Sequence, residues 1–292
     1  MSNHTMLNYK NTHEAAGVRR LEQLRVTVLK VGVLIALLAA GGAATAKAAE
    51  EDVEALAKKS QNPVAAMISA PFQNNFNFGM GPDKEMGYNL NIQPVVPLSL
   101  SSNWNYIVRP IIPILDIPMG GGHREAGLGD LTLETFFTPN NDSPVIWGLG
   151  PMAVFPTATE EALGNGQWNL GPAAVGVVMH GHWVVGALLT QSFSVAGENG
   201  RSATAPFGLQ PFINYNLPHG WAISTSPTFT ADWQAGGSHA WTVPVGGSIA
   251  RTMIVAKQPL TLALAAYYNV DKPKYQADYQ IRMTLTFMFP SK

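Results

Sequence analysis

The side chains best suited to act on a solute are the charges that fall inside strand-like segments: Arg109, Asp116, Asp130, Glu134, Asp232, Arg251 and Arg282. Arg and Lys cost roughly 2–4 kcal/mol on a lipid-facing surface at mid-depth. If the strands cross a membrane, these groups should therefore point into a lumen. Arg282 lies in phase with the polar residues of its strand. Asp130 and Glu134 share a phase with Thr132, opposite Leu131, Leu133 and Phe137. Together with Arg109 and Asp232 they form a candidate charged lining, and Phe136, Phe212 and Tyr267 add aromatic surface to the same face. Two readings stay open. The charges select a passing solute, or they knit a closed interior together as ion pairs.

Other chemistry is poorly supplied. His180-Gly181-His182 puts two imidazoles around a tight turn, but a metal site needs at least a third ligand and the sequence singles out none. No metal and no cofactor is expected. A lipid hydrolase would need Ser, His and an orienting carboxylate or amide within reach. His123, His239 and Ser238 fall in outward loops, yet no spacing marks a triad, so an enzyme is not the expectation. No Gly-rich phosphate loop follows a strand, and Gly120-Gly121-Gly122 reads as a flexible loop tip. The absence of cysteine removes thiolate ligands, thiol nucleophiles and disulfides.

The elements that carry these residues show a two-residue period. From Tyr279 to Phe289 the odd positions are apolar or aromatic, and the even ones are polar except Met288. Such a strand faces two different media. About ten residues is also what a tilted strand needs to cross a hydrocarbon core. Leu90, Ile92, Val96, Leu98 and Leu100 likewise oppose Asn89, Asn91, Gln93 and Ser99. Trp221, Ile223, Phe229 and Trp233 oppose Ser224, Ser226, Thr228 and Asp232.

Strand-like segments fall near 64–79, 87–100, 104–117, 127–138, 144–157, 168–180, 183–196, 204–216, 221–233, 240–256, 260–271 and 277–289. Short connections alternate with mostly longer ones, the pattern of an outer-membrane barrel with short periplasmic turns. The expected fold is all-β: a closed antiparallel transmembrane barrel of about 12 strands over 64–292, with both termini in the periplasm. Trp104, Trp147, Trp183 and Trp221 follow short turns, and Trp168, Trp233 and Trp241 flank outer loops. Indoles favour membrane–water interfaces, so these seven form an expected double girdle. Pro94, Pro97, Pro110, Pro113, Pro151, Pro211 and Pro227 oppose the scheme, since proline removes a ladder donor, and β-bulges are expected at several of them.

Composition agrees. The 292 residues are 46% hydrophobic but only 13% charged, well below the roughly 25% usual for soluble domains. The apolar run Val31–Ala40, preceded by Arg19, Arg20, Arg25 and Lys30 and followed by Ala46-Lys47-Ala48, reads as a signal peptide over 1–48. Its n-region is long and carries Glu14 and Glu22, which points to a start downstream of Met1. Residues 49–63 form a charged periplasmic arm or short helix. Residues 1–48 hold six of the 18 basic and two of the 19 acidic residues, leaving 12 against 17. No basic patch remains for nucleic acid. The expected partners are outer-membrane lipids, the barrel assembly machinery and periplasmic chaperones during biogenesis, and a small solute.

The segments Pro71-Phe72-Gln73-Asn74-Asn75, Asn91-Ile92-Gln93-Pro94-Val95, Gly127-Leu128-Gly129-Asp130, Phe136-Phe137-Thr138-Pro139, Pro156-Thr157-Ala158-Thr159 and Leu209-Gln210-Pro211-Phe212 add a further line. With Gly220-Trp221, Trp241-Thr242-Val243-Pro244 and Phe287-Met288-Phe289-Pro290, they resemble a family of outer-membrane barrel transporters, the meta-pathway of phenol degradation proteins. The resemblance spans almost all of 60–290. It implies an outer-membrane barrel of a Gram-negative bacterium that passes hydrophobic or aromatic compounds, and it brings no catalytic residues. The chain departs from common barrel practice in that Phe289 is followed by Pro290-Ser291-Lys292 rather than ending the protein.

Overall fold

The structure is a computed structural model. It describes residues 47–141, 143–198, 200–235 and 240–290. The expected signal peptide lies outside the described residues, apart from Lys47 and Ala48. One helix, α1 (Lys47–Ser60), precedes twelve strands. These are β1 (Ile68–Met80), β2 (Glu85–Ile92 and Val96–Ser99), β3 (Trp104–Gly120), β4 (His123–Leu128 and Leu131–Pro139), β5 (Val145–Phe155) and β6 (Gln167–His180). Then follow β7 (Trp183–Gln191 and Phe193–Gly197), β8 (Pro206–Asn216), β9 (Trp221–Thr225 and Phe229–Asp232), β10 (Trp241–Val255), β11 (Gln258–Asp271) and β12 (Tyr279–Phe289). Each strand pairs antiparallel with the next. β1 pairs with β12 from Ile68 opposite Phe289 to Phe78 opposite Tyr279, which closes the ring.

Closure turns the two-residue period into an inside and an outside. Leu149, Ile223 and Val245, all more than half exposed, point outward. Side chains on the other face point inward: Glu134, Thr252 and Thr286 are buried, and so are Ile107 and Phe136, which have no exposed surface at all. A belt of exposed large apolar side chains around a partly polar interior is the reverse of a water-soluble protein.

The prolines behave differently from the expectation. Most sit in an unbroken register: Pro97 opposite Ile107, Pro110 opposite Leu133, Pro113 opposite Asn91, Pro211 opposite Ala187. Pro94 and Pro227 interrupt the ladder without shifting it. Phe72 opposes Ile92 before the break and Ser69 opposes Val95 after it. Leu209 opposes Phe229, and Ile213 opposes Thr225. Proline removes one donor but leaves the strand's rise unchanged, so register survives. At Pro151 the ladder between β4 and β5 skips Thr135 and Phe136, and the Thr135 hydroxyl donates to the Pro151 carbonyl at 2.8 Å. At Pro113 a bulge is found on the partner strand: at Gly129-Asp130 the three steps from Ile111 to Ile114 on β3 oppose four from Leu128 to Thr132 on β4, and the Gly129 amide donates to the Pro113 carbonyl. Further shifts of register lie between Asn77 and Met80, Pro118 and Gly120, Ser194 and Ala196, and Val243 and Pro244.

Gly120-Gly121-Gly122 is also not a loose loop. All three have positive φ (96°, 62° and 79°), a conformation open to glycine, and they turn β3 into β4 with only two residues between the strands. The Gly121 amide donates to Asp83 Oδ2 at 2.6 Å, tying this hairpin to the neighbouring connection.

Facing is testable with single cysteines, since the chain has none. Labels at Leu285 and Phe287 should be reached by a lipid-soluble quencher, and a label at Thr284 should be spared. The reverse pattern would require an apolar core and a wet exterior.

Candidate functional site

The interior divides by side-chain size. On β3 to β8 many of the inward residues are large and apolar. Ile107, Phe136, Met152, Val175, Val177, Val184, Leu188 and Phe212 form one buried cluster with Val64 and Val95. On β9 to β11 many are small, namely Ala222, Ser224, Ser226, Ser248, Ala250, Ala263 and Ala265, and β12 adds Thr284 and Thr286 beside Arg282. An eight-stranded ring is narrow enough for side chains to fill, and sixteen strands leave a water channel. A twelve-stranded ring lies between, so large residues fill one half and small residues leave the other open. The open half holds a cavity of about 240 Å³.

The charges expected in the lining separate into three groups. Arg109 and Glu134 meet on the inner face as a cross-strand pair of β3 and β4. Arg109 Nη1 donates to Glu134 Oε2 at 2.7 Å, and Nη2 donates to Gln93 Oε1 at 2.8 Å. The two side chains keep only 13% and 7% of their surface exposed, so solvent screens the pair weakly. Arg282 lies in the open half. Its Nε donates to Asn75 Oδ1 at 3.0 Å and its Nη1 to the Ser226 carbonyl at 3.3 Å, and its guanidinium sits 5.0 Å from the centre of the Tyr267 ring.

Asp130 and Asp232 form the third group, and they are not part of this lining. The bulge at Gly129-Asp130 leaves the Asp130 carboxylate to accept the Ala158 and Asn165 amides at 3.2 and 2.7 Å. Asp232 accepts the Ala205 and Gln234 amides, both at 2.9 Å. Each holds a connection at the long-loop end, because a carboxylate beside free loop amides is best satisfied by them. Two strand charges do not face inward. Arg251 stacks its guanidinium 5.1 Å from the Trp221 ring at the short-turn rim, where lipid-face charges cost little. Asp116 pairs with Arg124 at 2.8 Å on the outer face near the long-loop end.

Phe136 and Phe212 belong to the apolar half, and the Tyr267 hydroxyl accepts the Ser226 amide at 3.2 Å. All seven tryptophans lie on the outer surface at strand ends. Trp104 packs against Trp147, Trp183 against Tyr215, Trp168 against Phe155, and Trp233 and Trp241 against each other and Phe207.

The segment after α1 enters the barrel at the short-turn end, which the sequence did not reveal. Ser60, Gln61, Asn62 and Pro63 wall the cavity. Gln61 and Asn216 exchange amide hydrogen bonds at 2.9 and 3.1 Å, and the Ser60 and Thr261 hydroxyls lie 3.5 Å apart. Val64 joins the apolar cluster, while Leu56, Ala65, Met67 and Met288 form a second one beneath it. The apolar run Val64-Ala65-Ala66-Met67, directly after a charged helix, is the one signal that could have disclosed a buried segment.

The histidines do not assemble a site. His123 Nε2 lies 2.9 Å from Glu125 Oε1 at a loop, and His182 packs against Tyr215. Among the described residues no group of three or more His, Asp or Glu is placed to hold a metal. His239 and Ser238 lie outside the described residues.

Neither a family model nor a curated protein sequence matches the chain. Solved structures do. An outer membrane channel from Pseudomonas putida F1 aligns at 14% identity over 77% of this chain and 96% of that chain, with a TM-score of 0.57. The NanC porin aligns at 9% identity over 75% of this chain and 98% of that chain, with a TM-score of 0.50. Outer membrane phospholipase A from Escherichia coli aligns at 11% identity over 76% and 96%, with a TM-score of 0.40, too low to bear on function. The fold is that of an outer-membrane β-barrel.

Glu134→Gln should destabilise the barrel by about 3–5 kcal/mol, because it leaves Arg109 charged and buried without its partner. The double variant Arg109→Met/Glu134→Leu should recover most of that loss. Urea unfolding in lipid vesicles measures both.

Proposed function

We propose that this barrel sits in the outer membrane, surrounded by its lipids, and passes small solutes through its lumen without chemistry. The solutes suited to it have hydrophobic or aromatic character, as the resemblance to the phenol-degradation family implies. A signal over 1–48 would direct export, and periplasmic chaperones and the barrel assembly machinery would deliver and insert the chain. The short-turn end, with α1, faces the periplasm in this reading. The two rings of tryptophan then mark the lipid interfaces.

The observation that carries the reading is the half-filled lumen. A barrel serving only as structure has no reason to place alanine and serine along three consecutive strands and leave a cavity there, since each unfilled void forfeits packing energy. The opposite wall is apolar, so the path offers hydroxyls and amides on one side and hydrocarbon on the other. Residues 60–64 narrow it at the periplasmic mouth. They themselves are held by neutral hydrogen bonds worth roughly 0.5–1.5 kcal/mol each and by one valine, while Leu56, Ala65 and Met67 anchor the chain on either side, so the stretch between those anchors is weak enough to open.

Conductance in planar bilayers tests this. Gln61→Ala/Val64→Ser removes the amide pair and the apolar anchor and leaves all strands intact. It should raise the open fraction by roughly tenfold, which corresponds to about 1.4 kcal/mol. Liposome swelling with sugars and aromatic acids should follow the same order. A folded protein that neither conducts nor admits any solute, with or without the substitutions, would show a purely structural barrel.

A further inference from the structure

We propose that Arg282 anchors a binding site, inside the lumen cavity, for a small monocarboxylate with a compact apolar body. The assignment rests on reading the lumen as a solute path and names the solute class that path would favour.

Arg282 differs from Arg109, Arg124 and Arg201 in its partners. Arg109 pairs with Glu134, Arg124 with Asp116 and Glu85, and Arg201 with Glu161 and Glu198. Arg282 has no carboxylate within ion-pairing distance among the described residues. Its neighbours are a side-chain amide, a backbone carbonyl and an aromatic ring. They come from three strands, β1, β9 and β11, and hold the guanidinium in place without neutralising it. Among the described residues that wall the cavity, Arg282 is the one charged group. A positive charge in a confined space draws an anion, and a guanidinium can offer a carboxylate two parallel donors.

The walls decide which anion. The surface around the arginine carries the Gln210 amide and the Ser226 and Thr284 hydroxyls, which can add neutral hydrogen bonds. Phe212 and Val95 supply the apolar side. One cation matches one negative charge. A phosphate-type dianion would bring a second charge with no partner, and its polar oxygens would face hydrocarbon. The volume of about 240 Å³ lies below the roughly 300–1,000 Å³ of pockets for drug-sized ligands, so the body is limited to about one ring.

The local backbone explains why the arginine is held here. Pro227 interrupts β9 between Thr225 and Phe229, and the freed Ser226 groups turn to the lumen. The amide donates to the Tyr267 hydroxyl and the carbonyl accepts from Arg282. The interruption thus builds the seat for the guanidinium.

The test is calorimetric titration of the folded, detergent-solubilised protein with benzoate, benzyl alcohol and inorganic phosphate. Benzoate should bind at least roughly tenfold more tightly than either of the others, because only it matches both the charge and the apolar wall. Arg282→Gln should weaken benzoate roughly tenfold to hundredfold and leave benzyl alcohol unchanged, with retained gel mobility before boiling as the measure of folding. Arg282→Lys keeps the charge but loses the fork. It should weaken benzoate less than the glutamine variant does, and it carries the comparison if that variant fails to fold. Absence of benzoate binding, equal affinity for benzyl alcohol, tighter phosphate binding, or benzoate affinity untouched by either substitution would each overturn the site. Bilayer conductance of the same wild-type sample separates the two readings. Conduction without benzoate binding removes the site and keeps the path. Benzoate binding without conduction keeps the site and removes the path.

Discussion

Every strand of this protein depends on the pairing of β1 with β12. A hydrocarbon core offers no water to satisfy a free amide or carbonyl, so a sheet that spans it must have no edge. The register from Ile68 opposite Phe289 to Phe78 opposite Tyr279 removes both edges at once. The same demand governs the four places where a strand is interrupted. Val95 donates to the Ser69 carbonyl, Gly129 to Pro113, and Ser192 to Pro206. At Ser226 the neighbouring strands do not take over, and Tyr267 and Arg282 do so from the lumen. A requirement of backbone chemistry thereby fixes the orientation of two side chains in the interior.

Closure at twelve strands then sets the problem of the interior. The ring is too wide for an ordinary set of side chains to fill evenly. The chain concentrates bulk on one arc, with Phe136, Met152, Leu188 and Phe212, and leaves alanine and serine on the other. The apolar arc supplies packing energy that a watery pore would lack. The small-residue arc supplies space. Charges follow the same division. Arg109 and Glu134 neutralise each other beside the filled arc, and Arg282 stays unneutralised by carboxylate beside the open one.

The entering segment links the barrel to the chain that precedes it. Gln61 meets Asn216 through a pair of exchangeable amide bonds, and Val64 reaches the apolar arc. Neutral amides lose little by trading each other for water, so this contact by itself holds the segment only weakly. Below it, Leu56, Ala65, Met67 and Met288 join the segment to the last strand, so its position depends on barrel closure as well.

The sequence by itself determined the number of strands, their approximate limits, and which side chains share a face. These follow from the two-residue period, a property of the extended backbone that needs no partner. Trp104 and Trp183 at strand starts, Leu285 and Phe287 opposite Thr284, and the alternation of short and long connections were all legible in this way. What the sequence did not contain is who meets whom across the lumen. Asp130 and Glu134 have the same phase on paper, yet a single extra residue at Gly129-Asp130 hands one to a loop and leaves the other to Arg109. Arg251 carries the same charge as Arg282, but depth and the neighbouring Trp221 allow it to face outward at the rim. Asn75, Gln93 and Ser226 acquire their roles only because strands distant in sequence are brought to one level. Pairing across a barrel is set by closure, bulges and register summed around the whole ring, and only the tertiary structure performs that sum.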